Sequence, residues 1–205
     1  MTQVRGGGKA ESTSVKAQEL AAAVLSYLSD ASDDNVDTIS AANGIRPLTQ
    51  LLQSESGVAQ AMAAAVLSDL ARKSAKNRAA IIAEQGISLL VGLLDAKKMP
   101  RAKAESAGAI QSLCKGEPDT QKAVAEAGAI KLLVAILSEK DNHARKKAAC
   151  AIAAIAEGSV DNQDAVRVSR DDISIPRHLV SLSLFLSLWT PPPRSYLLAF
   201  ARRCF

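Results

Sequence analysis

An all-helical solenoid of stacked three-helix repeats is the fold this chain predicts, and three observations carry the prediction. Asn35, Asn77, Thr120 and Asn162 recur at intervals of 42, 43 and 42 residues. Other columns keep the same register: Ile39, Ile81, Val124 and Val166, then Ile45, Ile87 and Ile130, each of the last three preceded by a small residue (Gly44, Gly86, Ala129). The pairs Leu51-Leu52, Leu93-Leu94 and Ile136-Leu137 follow. A period of this length marks units that stack because none can bury its apolar face alone.

The elements follow in order. Residues 1–12, with Gly6-Gly7-Gly8, read as a flexible leader ahead of a solenoid over 13–167. Residues 14–32 read as a lone third helix, since Ala22, Leu25 and Leu28 lie 42 residues before Ala64, Leu67 and Leu70. Complete repeats are expected at 35–75, 77–117 and 120–159, and a further one opens at 162–167. In the second repeat, Asn77 is expected to open a short helix through about Glu84, which Gly86 ends, because Asn caps helix starts and Gly ends helices. A second helix takes in Leu90, Leu93 and Leu94. Pro100 suits the turn into a third helix over about Arg101 to Lys115. There Ala107, Ile110, Leu113 and Cys114 form an apolar stripe at spacings of three and four.

This layout, with the lines NGIRPLTQLL, QGISLLVGLL and AGAIKLLVAIL, resembles the armadillo repeat family from about Val15 to Val166. The resemblance implies a right-handed α-solenoid. It also implies a binding scaffold or adaptor in which stacked third helices line a groove that holds an extended or helical peptide. HEAT repeats, the structural alternative, pair two helices per unit. In nuclear-import adaptors of this family the groove carries a ladder of Trp and Asn. Here the Asn column reads Tyr27, Asp69, Ser112 and Ala154, and its neighbour reads Ser26, Ser68, Gln111 and Ala153. No tryptophan lies in the repeats, so a receptor for nuclear-localisation signals is not expected. What remains is a groove of small and polar groups, with Arg72, Lys115 and Glu157 one turn further on.

Past Val166 the pattern fails. Asp171 and Asp172 stand where a small and an apolar residue are due, and five of the six aromatic residues crowd into 185–205. Val180 to Trp189 nearly alternates with period two, which suits a strand. We read 168–205 as an irregular tail that is not native repeat sequence, such as translated intron. A divergent cap is the alternative, and a truncated splice form with little function of its own is a third reading. An apolar run of 11 residues from Leu179 to Trp189 is too short for a span of about 20. Attachment to a membrane surface through 179–203 is therefore a secondary expectation, as is self-association through the exposed C-terminal face.

Composition narrows the chemistry. The net charge of +4 comes mostly from the tail, since residues 1–167 hold 20 Lys and Arg against 19 Asp and Glu. A nucleic-acid partner, which wants its basic excess on a folded face, is not expected. The basic runs Arg72, Lys73, Lys76, Arg78 and Lys97, Lys98, Arg101, Lys103 either form one rim that steers an acidic peptide or are solvated loop charges. Asp30, Asp33, Asp34 and Asp37 read as decoration of an exposed first loop. Three widely spaced cysteines fit a reducing compartment, cytoplasmic or nuclear, with Cys114 and Cys150 as small buried residues. Met1 to Ala10 lacks the apolar core of a signal peptide. His143 and His178 have no cysteine cluster around them, and no serine sits in an elbow of glycines. No catalytic, cofactor or metal residues are assigned, and neither an enzyme nor a small-molecule substrate is expected.

Overall fold

The computed structural model describes residues 7–171 apart from residue 96, with side chains from 14 to 169. It holds the helices α1 (Gly7–Ala31), α2 (Asp33–Ala41), α3 (Ile45–Leu51), α4 (Gly57–Lys73), α5 (Ala75–Ala83), α6 (Gly86–Leu93), α7 (Pro100–Cys114), α8 (Pro118–Glu126), α9 (Ala129–Ile136), α10 (Asn142–Ala156) and α11 (Val160–Asp171), and no strand among the described residues. These are an α-solenoid: a third helix alone (α1), three complete units (α2–α4, α5–α7, α8–α10) and the first helix of another (α11). Two ends differ from expectation. Helix α1 begins inside the stretch read as a leader, because Lys9, Ala10 and Glu11 are good helix formers. Helix α11 runs past residue 168 to Asp171. The alternating segment and the rest of the tail lie outside the described residues.

The third helices form one continuous layer, α1 on α4, α4 on α7 and α7 on α10. Alanine makes this layer close-packed. Ala63, Ala64, Ala104, Ala107, Ala148 and Ala151 are all buried, and small side chains let helix axes approach. Each second helix packs on its own third helix and against the first helix of the next unit. One apolar core therefore runs unbroken from Val36 to Val166, through Leu48, Leu67, Leu70, Leu90, Ile110, Leu113, Leu133 and Ile152.

The Asn column serves a different end from the expected cap. Ser74 caps α5, accepting from the Asn77 backbone N–H at 3.1 Å, so Asn77 already lies inside the helix. Its side chain is buried and reaches back seven residues, Nδ2 donating to the Leu70 carbonyl at 3.0 Å. Asn35 does the same to Leu28 at 2.9 Å and Asn162 to Ile155 at 2.9 Å. The last carbonyls of a helix have no intrahelical partner, and these amides satisfy one at three of the four junctions between a third helix and the next first helix. The next column takes another: Arg78 Nη1, Gln121 Nε2 and Gln163 Nε2 donate to the carbonyls of Ala71 (3.1 Å), Cys114 (3.3 Å) and Ala156 (3.1 Å). Thr120 is too short for the reach, so the third unit relies on Gln121 alone.

Gly86 also departs from expectation, opening α6 where it was read as ending α5. The left-handed turn falls one residue earlier, at Asn43 (φ 56°), Gln85 (φ 60°) and Gly128 (φ 82°). Gly86 is needed for close approach: a Cβ there would lie 2.5 Å from Ile81 Cγ2 and 2.6 Å from the Ile81 carbonyl oxygen. Gly44 meets Ile39 in the same way, with both distances 2.8 Å. The third unit has Val124 in place of isoleucine and accommodates Ala129.

Candidate functional site

Four third helices present one shared face, built by the columns that the sequence singles out. Ser26, Ser68, Asp69, Gln111, Ser112, Ala153 and Ala154 are half-buried along it, while Tyr27, Arg72, Lys115 and Glu157 are exposed. A helix places residues three and four apart on one surface, so successive helices in register turn those columns into steps.

The steps are linked to each other. Ser68 and Ser112, from α4 and α7, share a hydrogen bond of 3.1 Å between their hydroxyls. Ser29 Oγ on α1 donates to Asp69 Oδ2 on α4 at 2.9 Å, and Arg72 Nη2 donates to Asp69 Oδ1 at 3.1 Å. Asp69 is thus a carboxylate held on both oxygens and aimed along the face, able to accept from a ligand N–H through its remaining lone pairs. Further along, the Lys147 ammonium lies over Gly108, whose Cβ, if present, would be 3.2 Å from Nζ. His143 Nε2 stands 3.6 Å from Glu105 Oε1. The face accordingly changes along its length from an anchored carboxylate beside Tyr27, through neutral hydroxyls and an amide, to a small-residue floor flanked by Lys147.

Ser29, Glu105, Gly108 and Lys147 join the expected residues on or beside this face. Ser29 had a readable signal, since its column otherwise holds Ala71, Cys114 and Ala156. A hydroxyl alone among buried small residues needs a partner, and Asp69 Oδ2 at 2.9 Å is the nearer of its two acceptors, the Ser26 carbonyl lying at 3.1 Å.

The proposed basic rim is largely taken apart. Lys73 Nζ lies 3.1 Å from Asp33 Oδ2 and 3.6 Å from Asp37 Oδ2, tying α4 to α2, and the Asp33 hydrogen bond raises its pKa above the ordinary lysine value. Those aspartates thus belong to α2 and an inter-helix pair rather than to a free loop. Arg78 Nη2 meets Glu117 Oε1 at 2.8 Å, joining two units. Lys103 is buried against Glu139 at 2.5 Å. Sequence proximity grouped these cations, but Arg78 and Lys103 reach carboxylates toward the next unit and Lys73 reaches the first helix of its own, each 36 to 40 residues away.

Cys114 and Cys150 are buried, as expected. Burial pushes the Cys114 thiol up to about 12, so it stays protonated and unreactive at neutral pH. Among the described residues, no group of three or more His, Cys, Asp or Glu could hold a metal ion. No helix there is long and apolar enough to cross a membrane.

No protein-family profile matches the chain, and no curated protein sequence does. Solved structures do. A crystal structure of an engineered protein is similar at 28% identity and TM-score 0.69, over 76% of this chain and 62% of that one. Computationally designed armadillo repeat proteins for modular peptide recognition are similar at 24% identity and TM-score 0.67, over 74% and 63%. A designed armadillo repeat protein in complex with the peptide (KR)4 is similar at 24% identity and TM-score 0.65, over 80% and 66%. The chain spans less than two thirds of the length of the first two, and its repeat fold is armadillo-like.

Proposed function

We propose that this chain is a protein–protein interaction module, a scaffold that binds a peptide segment along the third-helix face without chemical turnover. The observation that carries this reading is the face itself: a row of half-buried polar steps at fixed rise, with Asp69 pre-held by Ser29 and Arg72. A carboxylate whose rotamer is already fixed loses little entropy when a ligand N–H arrives. The fold's likeness to a designed protein that holds a peptide supports the same use. Its ladder differs from the import-adaptor pattern, so the ligand is a different peptide class. Cysteines used as small buried core residues fit an intracellular, reducing setting.

The test is selection of extended peptides from a displayed library, followed by fluorescence anisotropy on the chain and on Asp69→Arg and Ser112→Arg. Both substitutions should weaken the selected peptide by about 10-fold or more, as central interface residues do. Equal affinity for all three proteins would move the site off this face.

A further inference from the structure

Helix α1 carries a second, apolar surface that borders the peptide face at Tyr27. Its uncovered residues Ala17, Leu20, Val24, Tyr27 and Ala31 follow one another at spacings of three, four, three and four. That is the a/d seam of a coiled coil, where each apolar knob enters a hole on a facing helix. Leu20 is 62% exposed, Val24 58%, Tyr27 77% and Leu28, beside the seam, 40%. The columns that Val24 and Leu28 belong to are otherwise closed: Val66, Ala109 and Ala151 in one, Leu70, Leu113 and Ile155 in the other, are all fully buried. Behind Leu28 lies an apolar hollow of about 300 Å³, reaching Pro47 and Leu51.

We propose that this seam is covered by a second copy of the chain, α1 against α1 and antiparallel, about a two-fold axis through Val24. With Ala21 and Leu28, which are also exposed, the positions 17, 20, 21, 24, 27, 28 and 31 lie symmetrically about Val24, so the face is self-complementary in that arrangement. Val24 faces Val24 of the second copy, Leu20 faces Leu28, Ala21 faces Tyr27, and Ala17 faces Ala31, so small residues close both ends. Charge sets the same direction. Exposed Lys16 stands at one end of the seam and exposed Asp30 and Asp34 at the other, Asp33 being already paired with Lys73. An antiparallel pair sets Lys16 near the acids of the second copy, whereas a parallel pair sets acid against acid. A closed two-fold contact is also the commonest way a soluble chain self-associates. The seam from residue 17 to 31 spans about 21 Å of helix. By contrast, the exposed valines at the other end, Val160 and Val168, stand in columns that are exposed in every unit (Asp33, Ala75 and Pro118; Ala41, Ala83 and Glu126).

Sedimentation of the full chain should give about twice its 21.4 kDa. Val24→Asp places a carboxylate against its own copy and should raise the dimer dissociation constant about 100-fold or more. Circular dichroism should show an unchanged monomer fold, because Val24 is open to solvent there. Val160→Asp should leave the dimer intact. Mild oxidation of Val24→Cys should cross-link two copies through position 24, identified by mass spectrometry, since only a two-fold axis brings that position against itself. A monomer at about 100 μM, or a dimer that survives Val24→Asp, would overturn the proposal. So would a dimer that dissociates only on replacing Leu182, Leu184 and Trp189 with Ser. None of these positions supplies the polar steps used for the peptide, so failure here leaves that reading standing.

Discussion

Val24 and Val66 are the same residue in the same column of two third helices, yet one is 58% exposed and the other fully buried. Leu28 and Leu70 repeat the contrast, at 40% and 0%. The difference lies in what surrounds each helix. Helix α4 has α2 and α3 of its own unit against it, while α1 has no first and second helix of its own among the described residues. A column in a solenoid therefore specifies a residue type but not its energetic worth, which depends on the neighbouring helices.

The largest test of that contrast is truncation. Leu70→Ala should cost about 2–5 kcal/mol of unfolding free energy, measured by urea denaturation. Leu28→Ala, only partly covered within one copy, should cost less than about 1 kcal/mol when both truncations are measured on the monomeric Val24→Asp background. Equal costs would mean that α1 is as well packed as α4. A second pair sets two glycines of one helix against each other. Gly86→Ala must displace Ile81 and should destabilise by about 1–3 kcal/mol. At Gly92→Ala the new Cβ meets nothing within 4 Å, and helix propensity should stabilise by about 0.5–1 kcal/mol. Thermal denaturation of the two variants should move in opposite directions.

The smallest pair probes the backward amide bond. Asn77→Ala leaves the Leu70 carbonyl unpaired in the core and should cost about 1–2 kcal/mol, whereas Asn35→Ala, near solvent, should cost about 0.5 kcal/mol, because water replaces the lost donor. Hydrogen exchange at the α4–α5 junction should rise in the first variant and stay unchanged at α1–α2 in the second. A reversal would show that the amides serve as local caps after all.

The departures at Asn77 and Gly86 come from residues whose place was readable and whose partner was not. Asn77 has the composition of a helix cap, and propensity alone puts it outside the helix. The Ser74 hydroxyl takes that place instead, which frees the amide to reach seven residues back across a bend that only packing defines. Gly86 reads as a terminator because glycine tolerates positive φ; Gln85 takes the positive φ, and Gly86 gives room to Ile81. The candidate face was legible as columns, and Ser29 was legible as an outlier within its column. The pairings Ser29 to Asp69, Ser68 to Ser112 and Lys103 to Glu139 were not, since each joins residues from different units.

The repeat length, the order of the helices, the register of the apolar columns and the row of polar positions along the third helices are all readable from the order of the residues. Those properties follow from spacing within single helices, where 3.6 residues per turn decide which side chains share a face. Packing between units settles which carboxylate neutralises which cation, which carbonyl each amide satisfies and which apolar column is left open. These depend on contacts between residues about forty apart, and the angle and distance between stacked units set them.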